Sequence, residues 1–313
     1  MSTVAERAAR AQARPVSWRR TPVGRLTRRL PFLFLVLIIL VYIGFPFYWA
    51  LRSAFTPDSE LFNTPVKYFP AHPTLANFRE VLSTSDFTRA LLNSAIVAGS
   101  VTLIAIAFGS LAGYALGRYQ FRGRQAALYL MLSMTIFPQI AILGALYTMI
   151  NGLHVHLWFF CYTTPHIYNT LWALIFSYMV LVMPLTVWIL TTFMRALPKD
   201  LEEAAYVDGA TPLQVFYKVM LPLIAPGLVT AGLLAFITAW QEFLYALSFT
   251  ETPNEHTVTV AITTFVGKSG STFQTPWGQI MAATVIVTVP LIALTLLLQR
   301  RILAGLTAGA VKG

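Results

Sequence analysis

The sequence predicts an all-α polytopic membrane protein with six transmembrane helices. Three observations carry this reading. Apolar residues make up 57% of the 313-residue chain and charged residues only 11%, against about 25% in a soluble domain; mean hydropathy is +0.66. The apolar residues gather into six runs, each near the ~20 residues that a helix needs to cross a hydrocarbon core of ~30 Å. The charges segregate: 17 of the 22 Lys and Arg fall in the tails and alternate connections that share one face, and five fall on the other. The basic face is the cytoplasmic one.

Residues 1–30 read as a polar cytoplasmic tail with eight arginines, Arg7, Arg10, Arg14, Arg19, Arg20, Arg25, Arg28 and Arg29. The formal charge of +10 could suggest nucleic acid, but the tail has no aromatic besides Trp18. A basic run beside an apolar one is a topology determinant at an anionic membrane face. Residues 31–51 are the first span, with Tyr48 and Trp49 as interfacial aromatics. The apolar stretch has no small-x-small cleavage site before Arg52, so it reads as a retained helix.

Residues 52–90 carry Pro57, Pro65, Pro70 and Pro73 and too much charge to span. They read as an external loop, with a short surface helix around Leu75–Leu82. Residues 91–117 are the second span. Ala105, Gly109, Gly113 and Gly117 recur every four residues, a small-residue stripe that lets helix backbones approach. The stripe does not say whether its neighbour belongs to this chain or to another. Residues 118–124 are a short basic loop, and 125–150 the third span, kinked at Pro138. His154, His156 and His166 lie among Trp158, Phe159, Phe160 and Tyr162 without a carboxylate, which reads as an interfacial aromatic belt, with no metal site. The lone cysteine, Cys161, excludes an intrachain disulfide. Residues 171–194 form the fourth span.

The connection 195–220 holds four of the chain's twelve acidic residues, Asp200, Glu202, Glu203 and Asp208. Pro198 suits a first helical turn, and acids favour a helix N-terminus. Leu197, Leu201, Ala204 and Ala205 share one face. Gly209 can take a left-handed cap. Thr211 then caps a second helix with Pro212 at its first position, placing Leu213, Phe216 and Met220 on one stripe. The result is a helix–turn–helix on the membrane surface. The fifth span, 221–248, is entered through Pro222 and Pro226; a second external loop covers 249–279; the sixth span is 280–299; residues 301–313 form a cytoplasmic tail.

Glu203-Ala204-Ala205, Asp208-Gly209-Ala210, Phe216, Leu221-Pro222 and Pro226 resemble the EAA loop of ABC importer permeases. That resemblance implies the type I importer permease fold, with 91–300 as a five-helix core. It implies that the first short helix docks into a cleft on a separate ATPase: Glu203 supplies a polar contact, Ala204 and Ala205 allow close approach, and Gly209 makes the turn. Asp208, Ala210, Phe216, Leu221 and Pro222 complete the motif. Trp240-Gln-Glu-Phe-Leu-Tyr245 is similar to the W-x-E-F segment of carbohydrate-importer permeases. Glu242 is the one acid within an apolar span. It is expected either to line the translocation path, with Trp240 and Tyr245, or to bond a neighbouring helix. The tail around Gly305, Thr307, Gly309 and Lys312 resembles that of maltose- and trehalose-type permeases, where it reaches between two ATPase subunits as a thin strand. The loop 249–279 occupies the place from which such permeases contact a sugar-binding protein.

The implied protein is a non-enzymatic subunit of an ATP-driven sugar importer of the inner membrane, both termini cytoplasmic, carrying a trehalose- or maltose-like sugar by alternating access. Its implied partners are a second permease, two ABC ATPases, an extracytoplasmic sugar-binding protein and the lipid bilayer. No cofactor is expected in this chain. Gly267-Lys268-Ser269 fails as a phosphate loop because Ile262 stands where glycine is required, so ATP and Mg would be held by the partners. Other solutes, such as glycerol phosphate or another sugar derivative, stay open. A secondary transporter would carry more ionisable groups in its spans, and a membrane enzyme would need a catalytic constellation that is not evident.

Overall fold

Inside a bilayer each backbone N–H and C=O must find a partner, and a helix supplies one within its own segment. The chain is accordingly helical over most of its length. The computed structural model describes residues 22–152, 154–157, 160–163, 166–267 and 275–310. The arginines before Pro22, the aromatics Trp158 and Phe159, residues 268–274 and Lys312 lie outside the described residues. The chain divides into two units, Met1–Ala50 and Leu51–Gly313.

Helix α1 runs Pro22–Ala54. It starts well before residue 31 because Pro22 suits a first helical position, and the Leu and Arg that follow are good helix formers. Within the first unit Phe34, Leu40 and Phe47 are exposed on different sides of the rod, and Phe45 stacks on Trp49 at 5.9 Å. A helix apolar all round belongs in lipid or against protein.

The second unit opens with short helices α2, Asp58–Leu61, and α3, Ala76–Ser83. Helix α4 covers Ser85–Arg118, and a bent pair follows: α5, Arg124–Met134, and α6, Gln139–Ile150. The expected kink in the third span is a break of 99°. Pro138 is extended, at ψ 129, and starts α6. Its ring blocks the preceding turn and drives the residue before it out of the helical region. A hairpin pairs β1, His154–Leu157, with β2, Phe160–Thr163, within the segment read as an interfacial aromatic belt.

Helix α7 covers Leu171–Ala196, α8 Asp200–Val207, and α9 Pro212–Leu223, which meets α10, Ala225–Trp240, at 77°. The fifth span expected as 221–248 is therefore interrupted. It stops at Trp240, and a short helix α11, Leu244–Phe249, follows. Helix α12, Val258–Gly267, occupies the middle of the second external loop, because Val258, Val260, Ala261 and Phe265 bury an apolar face. Helix α13 runs Trp277–Ala310. It overruns the tail expected from 301: the alanines and leucines there favour a helix, and a glycine costs only about 1 kcal/mol. Among the described residues four helices are long and apolar enough to cross a membrane, and up to six spans result if each bent pair is one.

The small-residue stripe meets α7 of the same chain. A Cβ on Gly109 would lie 2.7 Å from Thr186 Cγ2, one on Gly113 3.0 Å from Leu190 Cβ, and one on Gly117 2.7 Å from Met194 Cβ. The two numbers rise together, so α4 and α7 run parallel and Arg118 and Ala196 end on one face. Helix α10 crosses the pair, with Gly232 against Ile106 and Gly227 against Phe193. Val101, Leu174, Tyr178, Trp240, Tyr245 and Phe249 belong to the central core.

Candidate functional site

The 195–220 connection folds as two helices around a tight turn. Helix α8 begins at Asp200 with Lys199 before it, so Pro198 precedes the helix rather than opening it. Gly209 has φ +80, the left-handed region that favours glycine. Its N–H donates to Tyr206 O at 3.0 Å, and the Ala210 N–H donates to Ala205 O at 3.0 Å. These two bonds are a Schellman cap, and Ala205 and Ala210 both pack against one buried cluster. Thr211 then caps α9 reciprocally: its Oγ1 accepts from Gln214 N at 3.3 Å, and Gln214 Oε1 accepts from Thr211 N at 2.9 Å.

Residues Val215–Met220 take a π-helical turn. That wider turn buries Val215, Phe216 and Met220 and leaves Leu213 64% exposed, off the stripe that a 3.6 period predicts. Ala205, Ala210, Val215 and Phe216 pack inward against Tyr114, Leu190 and Met194. Glu203, Ala204, Asp208 and Gly209 stay exposed, and Val207 is 88% exposed beside them. The motif thus has two faces. Ala205, Ala210, Phe216 and Leu221 hold the hairpin to its own helices, and Glu203 and Asp208 with Ala204, Val207 and Pro222 face outward.

The hairpin is anchored by Arg118, a residue that sequence reading placed only in a basic loop. Its Nε donates to Glu202 Oε1 at 2.6 Å, its Nη1 to Leu197 O at 2.9 Å and its Nη2 to Pro198 O at 3.1 Å. Both side chains are largely buried, at 6% and 14% exposed.

The buried carboxylate of Glu242 sits in the break between α10 and α11, rather than inside one continuous span. Its Oε1 accepts from Tyr245 N at 2.8 Å and its Oε2 from Ala246 N at 3.1 Å. These are first-turn amides of α11, which have no partner within the helix. The Glu242 carbonyl accepts from Thr259 Oγ1 at 2.7 Å. The Tyr178 hydroxyl lies beside the carboxylate, outside hydrogen-bonding geometry. Nothing in the sequence marked Tyr178. Trp240 Nε1 donates to Val287 O and Tyr245 Oη to Gln139 O, each at 3.3 Å. Trp240, Glu242 and Tyr245 are all buried within the chain. In the tail, Gly305, Thr307 and Gly309 lie on α13 rather than on an extended strand.

On the opposite face Asn169, at φ 56, closes the entry to α7: its Oδ1 accepts from the amides of Glu251 and Thr252 at 2.8 and 3.0 Å. Asn93 Nδ2 donates to the carbonyls of Asn254 and His256. The entry to α7 and the first half of α4 are thereby joined to the connection 251–256.

Parallel packed helices and a surface hairpin between spans give the chain the architecture of a membrane permease subunit. Residues 105–307 match the family of binding-protein-dependent transport system inner membrane components, and the chain belongs to that family. The trehalose/maltose transport system permease protein MalG of Thermococcus litoralis is 41% identical over 271 residues, covering 86% of this chain and 91% of the relative. The trehalose transport system permease protein SugB of Mycobacterium tuberculosis is 38% identical, covering 88% and 95%. The sulfoquinovosyl glycerol transport system permease protein SmoH of Agrobacterium fabrum is 37% identical, covering 90% and 94%. Among solved structures, a chain of a bacterial ABC transporter involved in import of the acidic polysaccharide alginate shares the fold, with a TM-score of 0.71, 16% identity and coverage of 90% and 98%.

Proposed function

We propose that this chain is one of two permease subunits of an ATP-driven ABC importer that carries a trehalose- or maltose-like disaccharide or short oligosaccharide into the cytoplasm. The observation that carries the proposal is the anchored hairpin. Its inner face is fixed by Arg118 and by Phe216, while Glu203, Ala204, Val207 and Asp208 point away from the chain. A rigid acidic surface with an exposed valine suits the cleft of a separate motor subunit. Movement at the hairpin would reach α4 directly, because Arg118 ends that helix.

ATP and Mg would be bound by two partner ATPases, and this chain would need no cofactor. An extracytoplasmic sugar-binding protein would dock on the face that holds Asn93, Asn169 and the 249–279 loop. The tail with Gly305, Thr307, Gly309 and Lys312 would meet the ATPases from the cytoplasmic side, where the charge distribution puts both termini. Alternating access follows if ATP and the loaded binding protein favour different states. Glu242 would serve the path by fixing the break after Trp240, rather than by touching sugar. The relatives' names support a sugar cargo, and the sulfoquinovosyl glycerol relative keeps a sugar derivative as the second reading.

The test is to purify the complex with its ATPases and binding protein in proteoliposomes. Uptake of labelled trehalose or maltose that requires ATP supports the proposal. Uptake without any ATPase subunit would overturn it.

A further inference from the structure

We propose that Arg124 and Arg195 bind the phosphate of an anionic phospholipid where the second and fourth spans meet the membrane surface. The last carbonyls of a helix have no partner within it. At the end of α4, Arg195 Nη2 donates to Leu116 O at 3.3 Å, while Arg124 donates through Nη2 to Gly117 O at 3.1 Å and through Nη1 to Tyr119 O at 3.3 Å. Two guanidiniums thus converge on neighbouring carbonyls and lie within each other's field. A helix C-terminus offers about half a negative charge, so two full positive charges exceed it.

Their neighbour Arg118 is neutralised by Glu202. Among the described residues no ion pair includes Arg124 or Arg195. The Nε of Arg124 is buried without an acceptor, and Arg195 is exposed. A hollow of about 430 Å³ lies against Arg124, lined also by Gln120, Phe121 and Gln125. The pair therefore carries positive charge that no carboxylate offsets among the described residues, and a guanidinium fork suits phosphate oxygens.

The surroundings favour a lipid over other anions. Phe121 lines the same hollow and is exposed, as are Tyr129 and Leu130 on the helix that Arg124 opens, and Tyr129 lies near enough to Arg195 to act on its charge. A free phosphate would leave this apolar surface bare. A protein partner at the hairpin would meet acids there, Asp200, Glu203 and Asp208, and would bring bases rather than another acid. A phosphate head with acyl chains fits both the charge and the apolar surface. The inference is independent of the solute carried.

The whole complex, wild type and with Arg124→Gln/Arg195→Gln, is extracted and examined by native mass spectrometry with phosphatidylglycerol, phosphatidylcholine or inorganic phosphate added. Wild type should retain phosphatidylglycerol over phosphatidylcholine by about tenfold, and the double variant should lose most of that preference. Arg195→Gln alone, which gives up one long bond from an exposed side chain, should reduce the preference while leaving the fold intact. Equal retention by wild type and variants would overturn the proposal. So would displacement of the lipid by millimolar inorganic phosphate, or loss of the ATPase subunits with lipid preference unchanged.

Discussion

Arg118 Nε donates to Glu202 Oε1 at 2.6 Å, and this bond ties the end of the second span to the first helix of the acidic hairpin. The same guanidinium holds the carbonyls of Leu197 and Pro198. One side chain therefore fixes both the entry and the first turn of the hairpin. Removing one partner of a largely buried pair leaves a charge uncompensated, a loss of about 3 kcal/mol. Arg118→Gln should free the hairpin locally and cut ATP-driven uptake at least about tenfold, while the spans still insert. Exchange of the amides of 200–207 should rise. The double variant with Glu202→Gln should be milder than the two losses added, with a coupling of about 1–3 kcal/mol. Unaltered amide exchange in Arg118→Gln would remove the anchor from the mechanism.

Gly209 separates folding from docking. Its φ of +80 is strained for a side chain although nothing lies within 4 Å, so Gly209→Ala should cost only about 1–2 kcal/mol through the backbone. Gly209→Pro should cost more, because proline fixes φ near −65° and removes the N–H that Tyr206 O accepts. Glu203→Lys differs in kind. Glu203 is exposed, so the thermal midpoint should hardly move while uptake and retention of the ATPase subunits fall. Glu203→Lys with full uptake would show that the outward acid makes no contact with a motor.

The hairpin was legible in the sequence because its turn chemistry is local. Gly209, Thr211 and Pro212 each admit few backbone conformations, and each took the expected one. The four-residue stripe was legible as a packing face, but its partner was not. That Gly113 meets Leu190 depends on two spans becoming parallel neighbours, which no periodicity states. Leu213 was misplaced because a π turn changes the period after Gln214 without any residue that demands it. The break at Gln241–Phe243 was also hidden. No proline marks it, and the apolar run reads through to Ser248. Only the carboxylate of Glu242 hinted that the backbone there needed a partner.

Gly113 and Gly99 test the packing face against helix propensity alone. A Cβ on Gly113 would lie 3.1 Å from Thr191 N, which is backbone and cannot swing away, whereas a Cβ on Gly99 meets nothing within 4 Å. Gly113→Ala should destabilise the permease by about 1–3 kcal/mol through overpacking. Gly99→Ala should be neutral or stabilising by up to about 1 kcal/mol, since alanine favours helix. Thermal unfolding of the two purified variants in one detergent checks the ordering; equal midpoints would mean that α4 and α7 do not pack through this stripe.

Glu242 distinguishes a polar group that lines a path from one that holds a break. Its two oxygens accept separate amides at the start of α11. Glu242→Leu strands both N–H groups in a buried site, at about 1–3 kcal/mol for each unsatisfied donor. Glu242→Gln keeps one acceptor oxygen, so it should lose less, and the loss should appear as local opening of α11. Thr259→Val, which removes the 2.7 Å bond to the Glu242 carbonyl without touching the carboxylate, should weaken the same break. If the carboxylate serves the backbone, all three variants should lower the protection of the Tyr245 and Ala246 amides, in the order Leu, Gln, Val. Uptake should fall in that order too, with the sugar concentration for half-maximal uptake unchanged. If it meets the sugar, Glu242→Gln should shift that concentration and leave amide protection intact, and Thr259→Val should do nothing. The second pattern would return Glu242 to the lining of the path.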